Sequence, residues 1–259
     1  MNIQIKNSEA STQPFWKAAV IGFSAAALMT LATSANATNL VANGSFTTTT
    51  GSASGGQLGY NVAATGWTST GYNFLFTPGS ADTTGVTGSD GNLKLWGPGD
   101  GSANGLPGTS PDGGNYVAAD GAYEVGAISQ TINGLTAGDT YAVSFYWAGA
   151  QQSGFTGLNT EQWDVSLGSQ TLDTAVVDNT SHGFTGWQYE TLDFTATGSN
   201  EVLSFLAVGT PSGEPPFSLL DGVSLNDVTP TPEPGSFPLL FTGLIGGLGV
   251  LRSRKWLKR

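Results

Sequence analysis

The chain has 259 residues, 8 basic and 19 acidic, for a net charge of −11, with one histidine and no cysteine. Between residues 38 and 230 a single lysine, Lys94, faces seventeen carboxylates, a net of −16 without any arginine. That balance excludes nucleic-acid binding and attraction to anionic lipid, which both need Lys or Arg. Without cysteine there is no disulfide, thiolate metal site or cysteine nucleophile.

Residues 1–37 read as a secretory leader. Lys6 and Lys17 supply positive charge, Ala18 to Ala32 is apolar and rich in small residues, and Ala35-Asn36-Ala37 fits the small-x-small cleavage rule. The expectation is a signal helix, removed to leave Thr38 as the first mature residue. The body, residues 38–228, is long enough to bury one core unaided and reads as a single domain.

Thr47 to Gly56 is low in complexity and is expected to be a surface loop. Gly66-Trp67 and Leu93 to Trp96 look like strand pieces, and the glycine- and proline-rich stretch from Gly97 to Asn115 is expected to be irregular. Alternation then becomes clear. Tyr141 to Trp147 and Trp163 to Leu167 place apolar residues at every second position, Tyr189 to Phe194 does so less strictly, and Phe217 to Leu225 closes the set. These predict strands with one face in a core and one in solvent, whereas Val202 to Val208 reads as buried on both sides. No apolar stripe of helical period occurs in the body. The fold class expected is all-β, a two-sheet antiparallel sandwich.

After the body, residues 229–234 form a stiff proline-rich linker. Residues 235–251 are apolar, and as a helix would be ~26 Å long against a bilayer core of ~30 Å. The basic tail, residues 252–259, carries five of the eight basic residues and would stay inside, leaving the body outside.

Candidate chemistry is sparse. His182, alone in a turn-like context without a nucleophile elbow, gives no triad or zinc site and reads as a solvated loop residue. Glu124, Glu161, Asp164, Glu190 and Glu201 could supply the two carboxylates of a glycosidase, but most read as solvating charges. Sugar stacking would use Trp67, Trp96, Trp147, Trp163 or Trp187; the alternation puts Trp147 and Trp163 in the core, and leaves Trp96 and Tyr72 as the exposed ligand-stacking candidates. Calcium suits oxygen-rich turns such as Ser89-Asp90-Gly91-Asn92 and Pro98 to Asn104.

Two resemblances add to this reading. Pro232-Glu233-Pro234, then an apolar span and an arginine-rich end, resembles the PEP-CTERM sorting signal of exopolysaccharide-producing Gram-negative bacteria. The resemblance implies an exosortase partner, transient anchoring in the inner membrane and removal of the tail. In the body, Leu40 to Phe46 with its Asn43-Gly44-Ser45-Phe46 motif, Gly66-Trp67, the Ser129 to Tyr141 stretch and Leu219 to Leu225 are similar to galactose-binding-like jelly-roll modules. That similarity implies a jelly roll and makes Asp221 the candidate ligand of a structural calcium; no cofactor is otherwise required. Thr47 stands where an acidic residue often follows the Asn-Gly-Ser-Phe motif. Taken together, the expectation is an exported, exosortase-sorted protein of the cell surface or extracellular matrix with a structural or adhesive role. The alternative is a carbohydrate-binding module recognising exopolysaccharide, and a glycoside hydrolase is third.

Overall fold

A computed structural model describes residues 38–230. The expected leader, the Pro232-Glu233-Pro234 motif, the apolar span and the basic tail lie outside the described residues. Among those described, sixteen strands follow one another: β1 Thr49–Gly51, β2 Gly55–Gln57, β3 Val62–Ala64, β4 Thr68–Ser69, β5 Asn73–Phe76, β6 Val86–Gly88, β7 Gly91–Leu93, β8 Tyr116–Asp120, β9 Ile128–Asn133, β10 Thr140–Gln151, β11 Asn159–Leu167, β12 Gln170–Asp173, β13 Val177–Asn179, β14 Gln188–Thr195, β15 Asn200–Thr210 and β16 Pro216–Asp227. One 3-10 turn, Pro98–Asp100, interrupts the long glycine-rich stretch.

Two antiparallel sheets form the sandwich. One has the order β14-β10-β16-β8-β5-β2, the other β12-β11-β15-β9-β4 with β13 beside β11. From β8 to β11, and again from β14 to β16, successive strands alternate between the sheets, the jelly-roll type of connection expected. Period-two alternation explains the packing between them. Leu75, Val117, Leu220 and Trp147 form one cross-strand row on the inner face of the first sheet. Val165, Phe205 and Ile128 form the matching row on the second. Trp163 Nε1 donates to the Leu219 carbonyl at 3.1 Å and ties the sheets together.

A second core lies on the other side of the first sheet. Phe74, Ala118, Leu219 and Ala148, the residues alternating with the inner row, are also buried, packed with Val86, Leu93, Leu95 and Leu106 from residues 77–115. That stretch covers β5, β8 and the first half of β16, so these strands are apolar on both faces. Across β10 and β14 the cover ends, and Tyr146 opposes Tyr189 with ring centroids 5.0 Å apart.

The Asn43-Gly44-Ser45-Phe46 motif has a structural explanation. Asn43 takes φ +53 and its side chain binds Thr48 N–H and the carbonyls of Thr48 and Thr65. Gly44 lets the chain lie against β16: a Cβ there would meet the Val223 carbonyl oxygen at 1.9 Å.

Two sequence expectations are corrected. Residues 47–56 are not simply a loop, since they contain β1 and the start of β2. Gly55 allows this, because its backbone lies so close to the Leu75 carbonyl that any Cβ would stand 2.3 Å from it. Val202 to Val208 is not buried on both sides either. Leu203, Phe205 and Ala207 face the core while Val202 is exposed, because the cover lies over the other sheet.

Candidate functional site

At one end of the sandwich, loops from both layers frame a cleft of about 360 Å³ lined by Tyr72, Asp90, Asp120, Tyr123, Phe155 and Ser212, among others. A larger hollow of about 420 Å³ around Leu158, Thr160, Asp178 and Pro211 has no aromatic ring in its lining. The first cleft brings aromatic rings and carboxylates together and is the candidate site.

Its geometry follows from where strand β8 stops. Asp120 is the last residue of that strand, and its Oδ1 accepts the N–H groups of Ala122 at 2.8 Å and Tyr123 at 3.0 Å, turning the chain sharply. The turn lifts Tyr123 into solvent, 46% exposed. Its ring stands edge-on to Tyr72, 5.3 Å away at 85°, and its hydroxyl donates to Asp90 Oδ2 at 3.2 Å. Backbone bonds from Tyr72 N–H to the Glu124 carbonyl and from Asp120 N–H to the Tyr72 carbonyl lock the corner.

Opposite stands Phe155, 39% exposed in a Gly-Ser-rich loop. Trp96 Nε1 donates to its carbonyl at 2.8 Å, and Ser153 N–H donates to the Lys94 carbonyl. Lys94 itself is paired with Asp100, whose carboxyl is held below the usual range by hydrogen bonds from Lys94 and Ser153.

Electrostatically the cleft is negative. Asp120 is 1% exposed and its Oδ2 has no hydrogen-bond partner. Burial pushes its pKa up to about 6, against the pull of the two backbone donors. The Tyr72 hydroxyl is pushed up to about 12, first by burial and then by the charges of Asp90 and Asp120.

The residues singled out from sequence are only partly brought together. Tyr72 lines the cleft but is not exposed: at 6% it belongs to the second core, edge-on to Phe74 at 4.5 Å. The residues of 77–115 cover the sheet face it occupies, which local sequence could not show. Trp96 is half-buried and stacks on His182 at 4.0 Å, so it supports the Phe155 loop and does not line the cleft. His182 is not a solvated loop residue. It is half-buried at φ +60, with its N–H donating to Gln151 Oε1 and its carbonyl accepting from Ser102 and Asn104.

Asp221 is fully buried where the register of β16 against β10 shifts. Ser110 Oγ donates to its Oδ2, its Oδ1 has no partner, and burial pushes its pKa up to about 7. Asp112 lies nearby, hydrogen-bonded by Ser45 of the Asn-Gly-Ser-Phe motif. Among the described residues no group of three or more His, Asp or Glu side chains converges on a metal position. A calcium here would draw the rest of its shell from hydroxyls, carbonyls and water.

Of the other carboxylates, Glu124 stands exposed beside the cleft, while Asp164 and Glu190 are half-buried on outward positions. Glu201 caps the Thr197–Gly198 turn. Glu201 and Glu161 are both buried, against the solvating reading, and Glu161 departs furthest because it shares the inner face of β11 with Trp163 and is 0% exposed. Sequence reasoning missed Asp120, Tyr123 and Phe155. The available signal was an aromatic residue isolated among glycine, serine and threonine, where local alternation gives it no core to join.

No protein-family model matches the chain, and no curated protein matches it. Solved structures do. TmCBM61 in complex with β-1,4-galactotriose is 16% identical with a TM-score of 0.40, covering 74% of this chain and 99% of that one. The CBM22-1 xylan-binding domain of Paenibacillus barcinonensis Xyn10C is 13% identical with a TM-score of 0.37, over 75% and 97%. A cyclase from Fischerella sp. TAU in complex with 4-(1H-indol-3-yl)butan-2-one is 14% identical with a TM-score of 0.46, over 76% and 100%. Similarity this low carries no function to this chain.

Glu161 generates a pH prediction. Its Oε2 has no partner, Asn179 reaches only its Oε1 at 3.4 Å, and burial raises its pKa from 4.5 to about 8. The folded state therefore holds the proton longer than the unfolded state. Stability from this group is complete below pH ~4.5 and is lost as pH rises toward ~8. Urea unfolding of Glu161→Gln should show a smaller fall in midpoint across that window than the parent. Parallel pH profiles for the two proteins would contradict this assignment.

Proposed function

We propose that the body of this protein is a carbohydrate-binding module that grips polysaccharide through the loop-end cleft. What supports this is the cleft's composition: the exposed rings of Tyr123 and Phe155 stand beside the carboxylates of Asp90 and Asp120. Sugar rings have an apolar face that stacks on aromatics and a rim of hydroxyls that donates to carboxylates, so such a cleft suits them on both counts. This favours specific binding over a purely structural or adhesive role. Outside the described residues, the leader and the PEP-CTERM-like tail support export through the inner membrane, exosortase processing, and delivery to the cell surface or extracellular matrix, where exopolysaccharide would be the partner.

Affinity electrophoresis in gels containing polysaccharide should retard the protein. Tyr123→Ala should weaken binding about tenfold, the equivalent of ~1.4 kcal/mol, with Tyr189→Ala as an unaffected control. Binding that survives both Tyr123→Ala and Phe155→Ala would remove the cleft from the account.

We further propose that Asp221 anchors a structural calcium ion, which would satisfy its unpaired Oδ1. Calcium should then raise the melting midpoint of the parent and leave that of Asp221→Asn unmoved. A parent midpoint indifferent to calcium rules the ion out.

A further inference from the structure

We propose that the cleft selects a glycan bearing free amino groups, a cationic amino-sugar polymer, over neutral or acidic ones. This rests on the cleft being a glycan site and adds the chemistry of its ligand.

The first observation is the unpaired carboxylate. Asp120 lines the cleft at 1% exposure, its Oδ1 saturated by two backbone donors and its Oδ2 left without any. A buried carboxylate oxygen without a partner is costly, and a cationic donor offsets that cost better than a sugar hydroxyl. The second is the sign of the surroundings. Asp90 shares the cleft, Glu124 adjoins it, and Lys94, the one cation among the described residues, is already paired with Asp100. An acidic glycan would meet only like charge here, and a neutral one would leave the field unused.

The third is the shape of the aromatic corner. Tyr72 and Tyr123 meet at 85°, and Phe155 borders the same cleft. Ring faces attract ammonium groups, and carboxylates behind the rings strengthen that attraction. Asp90 and Asp120 line this corner and Glu124 adjoins it, and the charges of all three act at the Tyr72 hydroxyl, so the corner is negative. An amino sugar supplies a ring for the aromatics and an ammonium for the field in one residue.

The test is calorimetric titration of the protein with β-1,4-linked glucosamine oligosaccharides and with their N-acetylated counterparts of equal length, at neutral pH. Expected is binding of the amine form roughly tenfold or more tighter, with the preference shrinking as salt is raised and unchanged by EDTA. Asp90→Asn with Asp120→Asn should abolish the preference, and because Asn keeps an oxygen for the Ala122 and Tyr123 N–H groups, the melting midpoint reports whether the turn survives. Asp90→Asn alone, at an exposed site, should reduce the preference without touching that turn.

Equal affinity for both forms, lost in Tyr123→Ala, would overturn the amine preference and leave the glycan site standing. A preference that persists in the double variant would also overturn it. Binding that requires a divalent metal would replace the ammonium with a metal ion. No binding of either form or of any neutral polysaccharide would remove the glycan reading itself, and this inference with it.

Discussion

Everything in this molecule depends on part of one sheet being buried on both faces. Strands β5, β8 and the first half of β16 carry apolar side chains inward to the sandwich and outward to a second core. Such strands are stable only if something covers the outer face, since exposing Phe74, Phe76, Tyr116 and Phe217 would forfeit ~1.5–3 kcal/mol for each large side chain. Residues 77–115 provide the cover, which explains how so glycine-rich a stretch holds one conformation. Its valine and leucine residues, Val86, Leu93, Leu95 and Leu106, are all used as anchors. The rest can be turn.

The candidate site is a by-product of that cover. The β6–β7 turn brings Asp90 to the end of the sheet, and the segment after β7 runs beside residues 151–153, which fixes the Phe155 loop. Asp120 ends the doubly buried strand, and its carboxylate is spent half on turning the chain and half on nothing. The aromatic corner thus sits where the second core meets solvent, with Tyr72 belonging to the core and Tyr123 to the water. The same arrangement makes the corner negative, because it sets the buried carboxylate of Asp120, shielded from water, beside the exposed ones of Asp90 and Glu124.

Much of the sandwich was legible in the sequence, for a simple physical reason. Where one face meets solvent, alternation writes the strand directly, as in Trp163-Asp164-Val165-Ser166-Leu167. Trp147 and Trp163 were correctly placed in the core on that basis. Double burial erases the signal: Asn73 to Phe76 and Tyr116 to Ala119 have no polar face to read, so the second core went unseen and Tyr72 was expected to be exposed. Glu161 and His182 misled for a related reason, since polar residues are expected in solvent unless tertiary contacts bury them. The cleft was least legible of all. Asp120, Tyr123 and Phe155 come from separate loops, and only the folded chain brings them together. Asp90 had been noted only as part of an oxygen-rich turn, with no link to an aromatic corner.

The molecule offers a second aromatic surface, the Tyr146–Tyr189 pair on the uncovered part of the same sheet, with Asp112 close to Tyr146 across Gly222. Asp221, buried with an unpaired Oδ1, stands opposite Tyr146 across the strands, so this pair also has a carboxylate beside it, and assigning function to the cleft means assigning it away from this pair. A crystal structure of the protein with a bound oligosaccharide separates the two most directly. The account predicts sugar rings against Tyr123 and Phe155 with a polar group directed toward Asp90 and Asp120. Sugar seated on Tyr146 and Tyr189, with the cleft holding only solvent, would contradict it.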